Sequence, residues 1–155
     1  MGKVVKIQIN ANKGEPPVPA ESCHAVAGSG IIGDRHAGKK EREICVTRQE
    51  ILDWMERQAV KGFCFSKQKV NLVLEGFSHG DLAPGKQLVG KEVILKVADV
   101  KKRCFPEECA LAGAGIRCRL REEYQMAAIL RSGTIRRGEE FTVTEPEEER
   151  RSNAS

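Results

Sequence analysis

The sequence predicts a mainly β fold with minor α, organised as a β-barrel-like core. Three observations carry that reading. About six to eight short apolar or alternating segments recur along the chain, bounded by Gly and Pro. Against them stands one stretch with clear helical signals. The third observation is Gly90-Lys91, a tight turn between the apolar runs of LAPGKQLVGKEVILKV, which reads as a hairpin.

Val4-Val5-Lys6-Ile7-Gln8-Ile9 has the near-alternation of a first strand. Asn12 to Pro19 holds Gly14, Pro16, Pro17 and Pro19, and reads as an extended loop. In GSGIIGDRHAG, Gly28, Gly30, Gly33 and Gly38 allow positive φ or close approach to a ligand. Glu43 to Thr47 reads as a strand. Thr47 then suits an N-cap, with Glu50 completing a T-x-x-E capping box, for a helix to about Gln58 that buries Ile51, Leu52 and Met55. Val70 to Leu74 is a short apolar strand ended by Gly76. Glu122 to Leu130 fits a helix or a strand, and periodicity does not decide between them. Thr134-Ile135 and Phe141-Thr142-Val143 are closing strands around Arg136-Arg137-Gly138, a solvated turn. The expected organisation is a single domain over 1–144 with a disordered charged tail over 145–155, where EPEEERRSNAS has no apolar residues to bury.

A chain of 155 residues fits one hydrophobic core. Aromatic residues make up only 5% of it, so Val, Ile and Leu must fill that core. The formal charge of +4 is too small to argue for nucleic acid. No apolar run reaches the length of a membrane span. MGKVVKIQIN lacks the apolar region of a signal peptide, so a cytoplasmic location is expected. Thiols are kept reduced there, and 6 cysteines need not mean a disulfide framework.

KKRCFPEECALAGAGIRC, from Lys101 to Cys118, gathers Cys104, Cys109 and Cys118. A disulfide staple, a metal site and a reactive thiol compete to explain it. The reducing compartment counts against the staple. The C-x4-C-x8-C spacing is not the paired C-x2-C of zinc ribbons, and a metal would need a fourth ligand such as His36. Positive charge favours a thiolate, and Lys101, Lys102 and Arg103 directly precede Cys104. Lys102 shares the side of Cys104 if the strand continues that far. Phe105-Pro106 would then end the strand with the thiol at its tip. Cys23, Cys45 and Cys64 stand among apolar or strand residues and read as core packing.

Taken in order, these pieces resemble the MOSC family, named after the C-terminal domain of molybdenum-cofactor sulfurases, and most of all its short free-standing bacterial members. The resemblance runs from about Met1 to Thr144. It rests on MGKVVKIQIN with its Pro-rich loop, GIIGDRHAG, the Arg48-Gln49 pair, Asn71 in its strand, LAPGKQLVGKEVILKV, KKRCFPEECAL and ILRSGTIRRGEEF. Two departures stand out. Asn71 follows KQKV where relatives have an apolar-acidic lead-in, and RLREEYQ lacks their Met-Pro and Gly-Ile-Phe elements.

The resemblance implies a β-rich barrel that binds the molybdenum cofactor (molybdopterin), carries activated sulfur on a cysteine, or does both. Cys104 lies at the family's cysteine position, which implies a nucleophile that accepts sulfane sulfur as a persulfide. Cys109 is then a resolving thiol or a structural one, and Cys118 has the least defined role. Pyridoxal phosphate is expected only on a partner cysteine desulfurase, because this chain has no room for such a domain. The other expected partners are a molybdenum-cofactor biosynthesis protein or a molybdoenzyme.

The candidate cofactor-binding residues are Asp34, His36, Arg48, Asn71, Lys102 and Arg103. Asp34 and His36 sit on a glycine-rich loop suited to ligand contact, and His36 can shuttle protons near neutral pH. Arg48, or Arg35, can pair with a phosphate or pterin oxyanion. Asn71 can pair with a ligand or with a strand-edge backbone group. His24 and His79 read as surface residues. Two other classes of function stay open: a non-catalytic metal or redox module built on the three cysteines, and an adaptor that docks to a molybdoenzyme.

Overall fold

Strand β5 (Ile44–Arg48) is buried along its whole length, and that sets the architecture. Ile44 and Val46 point into one apolar core while Cys45 belongs to another. A strand covered on both faces lies between a sheet interior and an outer layer of helix. Helix α1 (Gln49–Arg57) supplies that layer through Ile51 and Met55. Strand β6 (Leu72–Glu75) repeats the pattern, with Leu72 and Leu74 in the first core and Val73 in the second. The two strands run parallel, pairing Val46 with Leu72 and Arg48 with Leu74, and α1 provides the crossover that parallel strands require. The computed structural model describes residues 1–12, 15–34, 38, 43–62, 65, 69–99 and 106–145.

The barrel closes through β1 (Gly2–Ile9), β7 (Gln87–Val89), β8 (Ile94–Val97), β9 (Gln125–Arg131) and β11 (Glu140–Thr144). Its order is β1-β6-β5-β9-β8-β7-β11, and β11 returns to β1 at Gly2↔Phe141 and Lys3↔Glu140. Closure removes the free edges that an open sheet would expose. It also needs tight backbone approach where β1 begins and β6 ends. Gly76 has φ +86°, and a Cβ there would lie 3.0 Å from Gly2 Cα. Strand β2 (Val18–Ala20) extends the far end of β1, with Pro19 on an edge strand where a missing donor is tolerated.

A second sheet has the order β10-β3-β4, from β10 (Gly133–Arg136), β3 (Ser22–Val26) and β4 (Gly30–Ile31). It lays Cys23, Ala25, Ile31 and Ile135 against the barrel core. Helix α2 (Ala110–Gly113) lies between Cys109 and Cys118, and helix α3 (Arg119–Glu123) follows Cys118. Leu120 of α3 joins Ile51, Met55 and Tyr124 in the outer cluster. None of the described helices is long and apolar enough to cross a membrane.

The mainly β, barrel-like class is the one observed, but several elements differ from expectation. Thr47 is not the N-cap of α1. It is the fourth residue of β5, its Oγ1 is buried without a partner, and Arg48 takes the cap position with no side-chain capping bond. Pairing with Val73 of β6 keeps Thr47 in the strand, and that tertiary contact overrides the local capping signal. Leu52 is only partly buried, beside the buried Ile51 and Met55. The Pro-rich stretch expected as loop ends in β2, and β3 and β4 were not expected at all. Glu122 to Leu130 is both alternatives in succession, the end of α3 and then β9. The described residues hold 11 strands, more than expected, because several are only two to four residues long. In the expected tail, Glu145 pairs with Lys86; residues 146–155 lie outside the described residues.

Candidate functional site

Asn71 enters β6 from the same end at which β5 begins, and its side chain ties three segments together. Its Oδ1 accepts from the Cys45 amide at 2.9 Å, and its Nδ2 donates to Gln8 O at 3.1 Å and to Asp34 Oδ1 at 2.9 Å. The Asn71 amide donates back to Cys45 O at 2.9 Å. This residue is fully buried, and its bonds to the Cys45 amide and to Asp34 form away from competing water.

Asp34 is only 6% exposed, although it sits on the glycine-rich loop. Its amide donates to Ile31 O at 3.0 Å, which closes the turn after β4. Its Oδ1 also accepts from the Asn10 amide at 2.8 Å and from Asn10 Nδ2 at 3.4 Å. Asn10 follows β1 and retains a buried Oδ1 with no partner. The loop start is thereby tied to the end of β1 and the start of β6, and Asp34 acts as the knot.

The electrostatics around this knot favour neutral neighbours. Burial, and then the charge of Asp34, push the Cys23 thiol up to about 12, which suits its core role. Tyr124 is raised well above the usual phenol range by burial first, then by Cys45, with which it shares a side-chain hydrogen bond; the Lys69 backbone opposes this. Cys45 is thus a packed neighbour of a buried phenol. Neither Asn10 nor Tyr124 was singled out in the sequence. An Asn just past a strand and an aromatic flanked by Glu123 and Gln125 carry no local signal for a shared polar knot.

Arg48 belongs to a different constellation. It lies three residues beyond Cys45 along β5, about 10 Å away at the usual strand rise. There its Nη2 donates to Glu123 Oε1, and its Nη1 donates to Glu50 Oε2 at 2.5 Å and to Phe77 O at 3.4 Å. Arg119 Nε donates to Glu123 Oε2 at 2.9 Å, and its guanidinium lies 3.5 Å from Glu50 Oε1. Burial alone would raise the Glu123 carboxyl, but hydrogen bonds from Arg119 and Arg48 outweigh it and hold the group below its ordinary range. His79, an exposed side chain, reaches to 3.7 Å from the same carboxylate.

The structure therefore brings Asp34 and Asn71 together and places Arg48 at the opposite end of the parallel pair. Cys109 precedes α2 and is half-buried, and Cys118 precedes α3 against the outer cluster of Cys45 and Tyr124. Cys104, His36, Lys102 and Arg103 lie outside the described residues, as do Arg35 and Cys64. Their flanking anchors are described. The segment with His36 starts at Asp34, two hydrogen bonds from Cys45 by way of Asn71. The segment with Cys104 follows β8, where the Ala98 amide donates to Met126 O at 2.8 Å, and Met126 is the register partner of Cys45. Among the described residues no group of three or more His, Cys, Asp or Glu is arranged to hold a metal ion.

No family model matches the chain, and no curated protein does. Solved structures do match. YuaD from Bacillus subtilis aligns with a TM-score of 0.68 at 18% identity, covering 92% of this chain and 96% of that one. YiiM from Geobacillus stearothermophilus aligns with a TM-score of 0.63 at 18% identity, covering 94% and 76%. For YiiM from Escherichia coli the values are 0.58 and 14%, covering 92% and 70%. At these identities the likeness shows the fold, a β-rich barrel of the kind that the MOSC resemblance implies.

Proposed function

We propose that this chain carries activated sulfur on the Cys104 thiol, for delivery to the molybdenum cofactor or to a metal–sulfur assembly. The observation that supports it is the convergence of two anchors on Cys45. Asp34, at the root of the His36 segment, is linked to that residue through Asn71, and Ala98, at the root of the Cys104 segment, is linked to it across Met126 of β9. Asp34 and Asn71 serve as the frame, since their polar atoms hold protein partners. Lys102 and Arg103 supply the cations that favour a Cys104 thiolate and meet the phosphate of an incoming molybdopterin. Arg48 stands outside this arrangement.

In the first step the Cys104 thiolate attacks the sulfane sulfur of a persulfide on a partner cysteine desulfurase. The S–S bond of the donor breaks and the donor cysteine leaves as thiolate, with no net change of oxidation state. Release follows when an acceptor takes the terminal sulfur. Alternatively, the Cys109 thiolate attacks the Cys104 sulfur and expels hydrosulfide. That route oxidises two thiols to a disulfide while sulfane sulfur becomes sulfide, and a cellular dithiol restores the pair. Pyridoxal phosphate stays on the desulfurase.

Incubation with a desulfurase and cysteine is expected to leave one extra sulfur mass on Cys104, read by mass spectrometry of the intact chain and its peptides. The mass should vanish in Cys104→Ser and persist longer in Cys109→Ser. A wild-type chain that never acquires the mass sinks the reading.

A further inference from the structure

Strands β8 and β11 finish at the same end of the barrel, with β7 running antiparallel between them. Thr144, Gln87 and Lys96 form one register row across the three strands. One residue further on, Lys86 bridges the two outer chains. Its side chain pairs with Glu145, just past β11, and its carbonyl accepts from the Val97 amide of β8 at 2.9 Å. The Lys86 side chain is only 18% exposed, so this pair holds Glu145 against the barrel. Two strand spacings, about 10 Å, therefore separate the root of the segment after Glu145 from the root of the Cys104 segment.

The segments that leave these two roots carry opposite charge. Glu145-Pro146-Glu147-Glu148-Glu149 supplies the carboxylates, and Arg150-Arg151 comes only after them. On the other side, Lys101-Lys102-Arg103 leads directly into Cys104. An extended chain spans about 3.5 Å per residue, so the residues from Glu147 to Glu149 can reach the other root. A segment tethered this closely acts at an effective concentration on the order of millimolar. The spacing is also near the Debye length of about 8–10 Å at physiological salt, so the charges sense one another.

Tether and charge together name the occupant of the cations beside Cys104. We propose that Glu147, Glu148 and Glu149 compete with anionic ligands for Lys101, Lys102 and Arg103, as an autoinhibitory contact carried by the chain itself. The inference rests on the reading of Cys104 as the working thiol and adds its regulation. An anionic sulfur donor or cofactor must displace the acidic run, and exposed ion pairs are weak enough to yield.

The test compares the full chain, a chain ended after Glu145, and a triple variant with Glu147→Gln, Glu148→Gln and Glu149→Gln. Each is alkylated with iodoacetate, an anion, and separately with iodoacetamide, its neutral analogue. Peptide mass spectrometry reads the rate at Cys104. The iodoacetate-to-iodoacetamide ratio should rise about threefold in both altered chains at low salt, and the difference should fade by about 0.5 M salt. Equal ratios in the full chain and the triple variant would overturn the proposal. A rise confined to the ended chain, or one that persists at high salt, would assign the effect to bulk and overturn it as well. Alkylation needs no sulfur donor, so its outcome is read independently of persulfide uptake.

Discussion

Asn71 Nδ2 donates to Asp34 Oδ1 at 2.9 Å, joining the first residue of the β6 approach to the glycine-rich loop across a fully buried position. The same amide group holds Cys45 through its oxygen. One side chain therefore sets the spacing of a loop, a parallel strand and the end of β1.

Replacing Asn71 by Ala removes those bonds and takes one partner from Asp34 and one from the Cys45 amide. The expected loss is about 2–4 kcal/mol, the range for stranding buried polar groups, measured by urea denaturation. Asn71→Asp should be worse than Ala near neutral pH, because it sets a second carboxylate beside Asp34, and should recover part of the difference as pH falls. Equal stability of wild type and Asn71→Ala would show that the knot carries no energetic weight.

Glu123 provides a pH-dependent term. Its folded pKa lies below the usual carboxylate value of 4.5, so it stabilises the fold above that value and the stabilisation fades as pH falls through the folded pKa. Glu123→Gln should cost about 3 kcal/mol at neutral pH by leaving Arg48 as a poorly compensated buried charge. The gap between wild type and variant should narrow below about pH 4.5. A gap that does not change with pH would refute the assignment.

Tyr124 is the only tyrosine of the chain, so phenolate absorbance reports it alone. Burial raises its pKa well above 10.0. The native state therefore holds its proton where the unfolded chain would lose it, and stability falls as pH rises past that value. Absorbance should appear only together with alkaline unfolding followed by circular dichroism. Ionisation near pH 10 in a folded chain would contradict the buried position.

Gly76→Ala tests the closure of the barrel. The substitution forces an L side chain into φ +86° and sets its Cβ 3.0 Å from Gly2 Cα and 3.1 Å from Met1 O. A loss of about 1–3 kcal/mol is expected in thermal unfolding. A neutral result would mean that the β1–β6 junction relaxes freely.

Much of the architecture was legible because its signals are local. The alternation of Val4 to Ile9, the hairpin joining Gln87–Val89 to Ile94–Val97 and the burial of Ile51 and Met55 on α1 each act within a few residues and appear as expected. The hairpin turn itself lies one residue on, at Lys91-Glu92. Of the candidate site residues, Asp34 and Asn71 do meet. Tertiary structure decided the rest, since those outcomes depend on partners far away in sequence. Thr47 is a strand residue because β6 pairs with it, and β3 exists because β10 supplies its bonds from 110 residues away at His24 and Thr134. Asp34 and Asn71 meet because β1, β5 and β6 bring their segments to one end of the parallel pair. Arg48 stands at the other end of that pair, because a strand of five residues is long enough to hold two separate polar constellations.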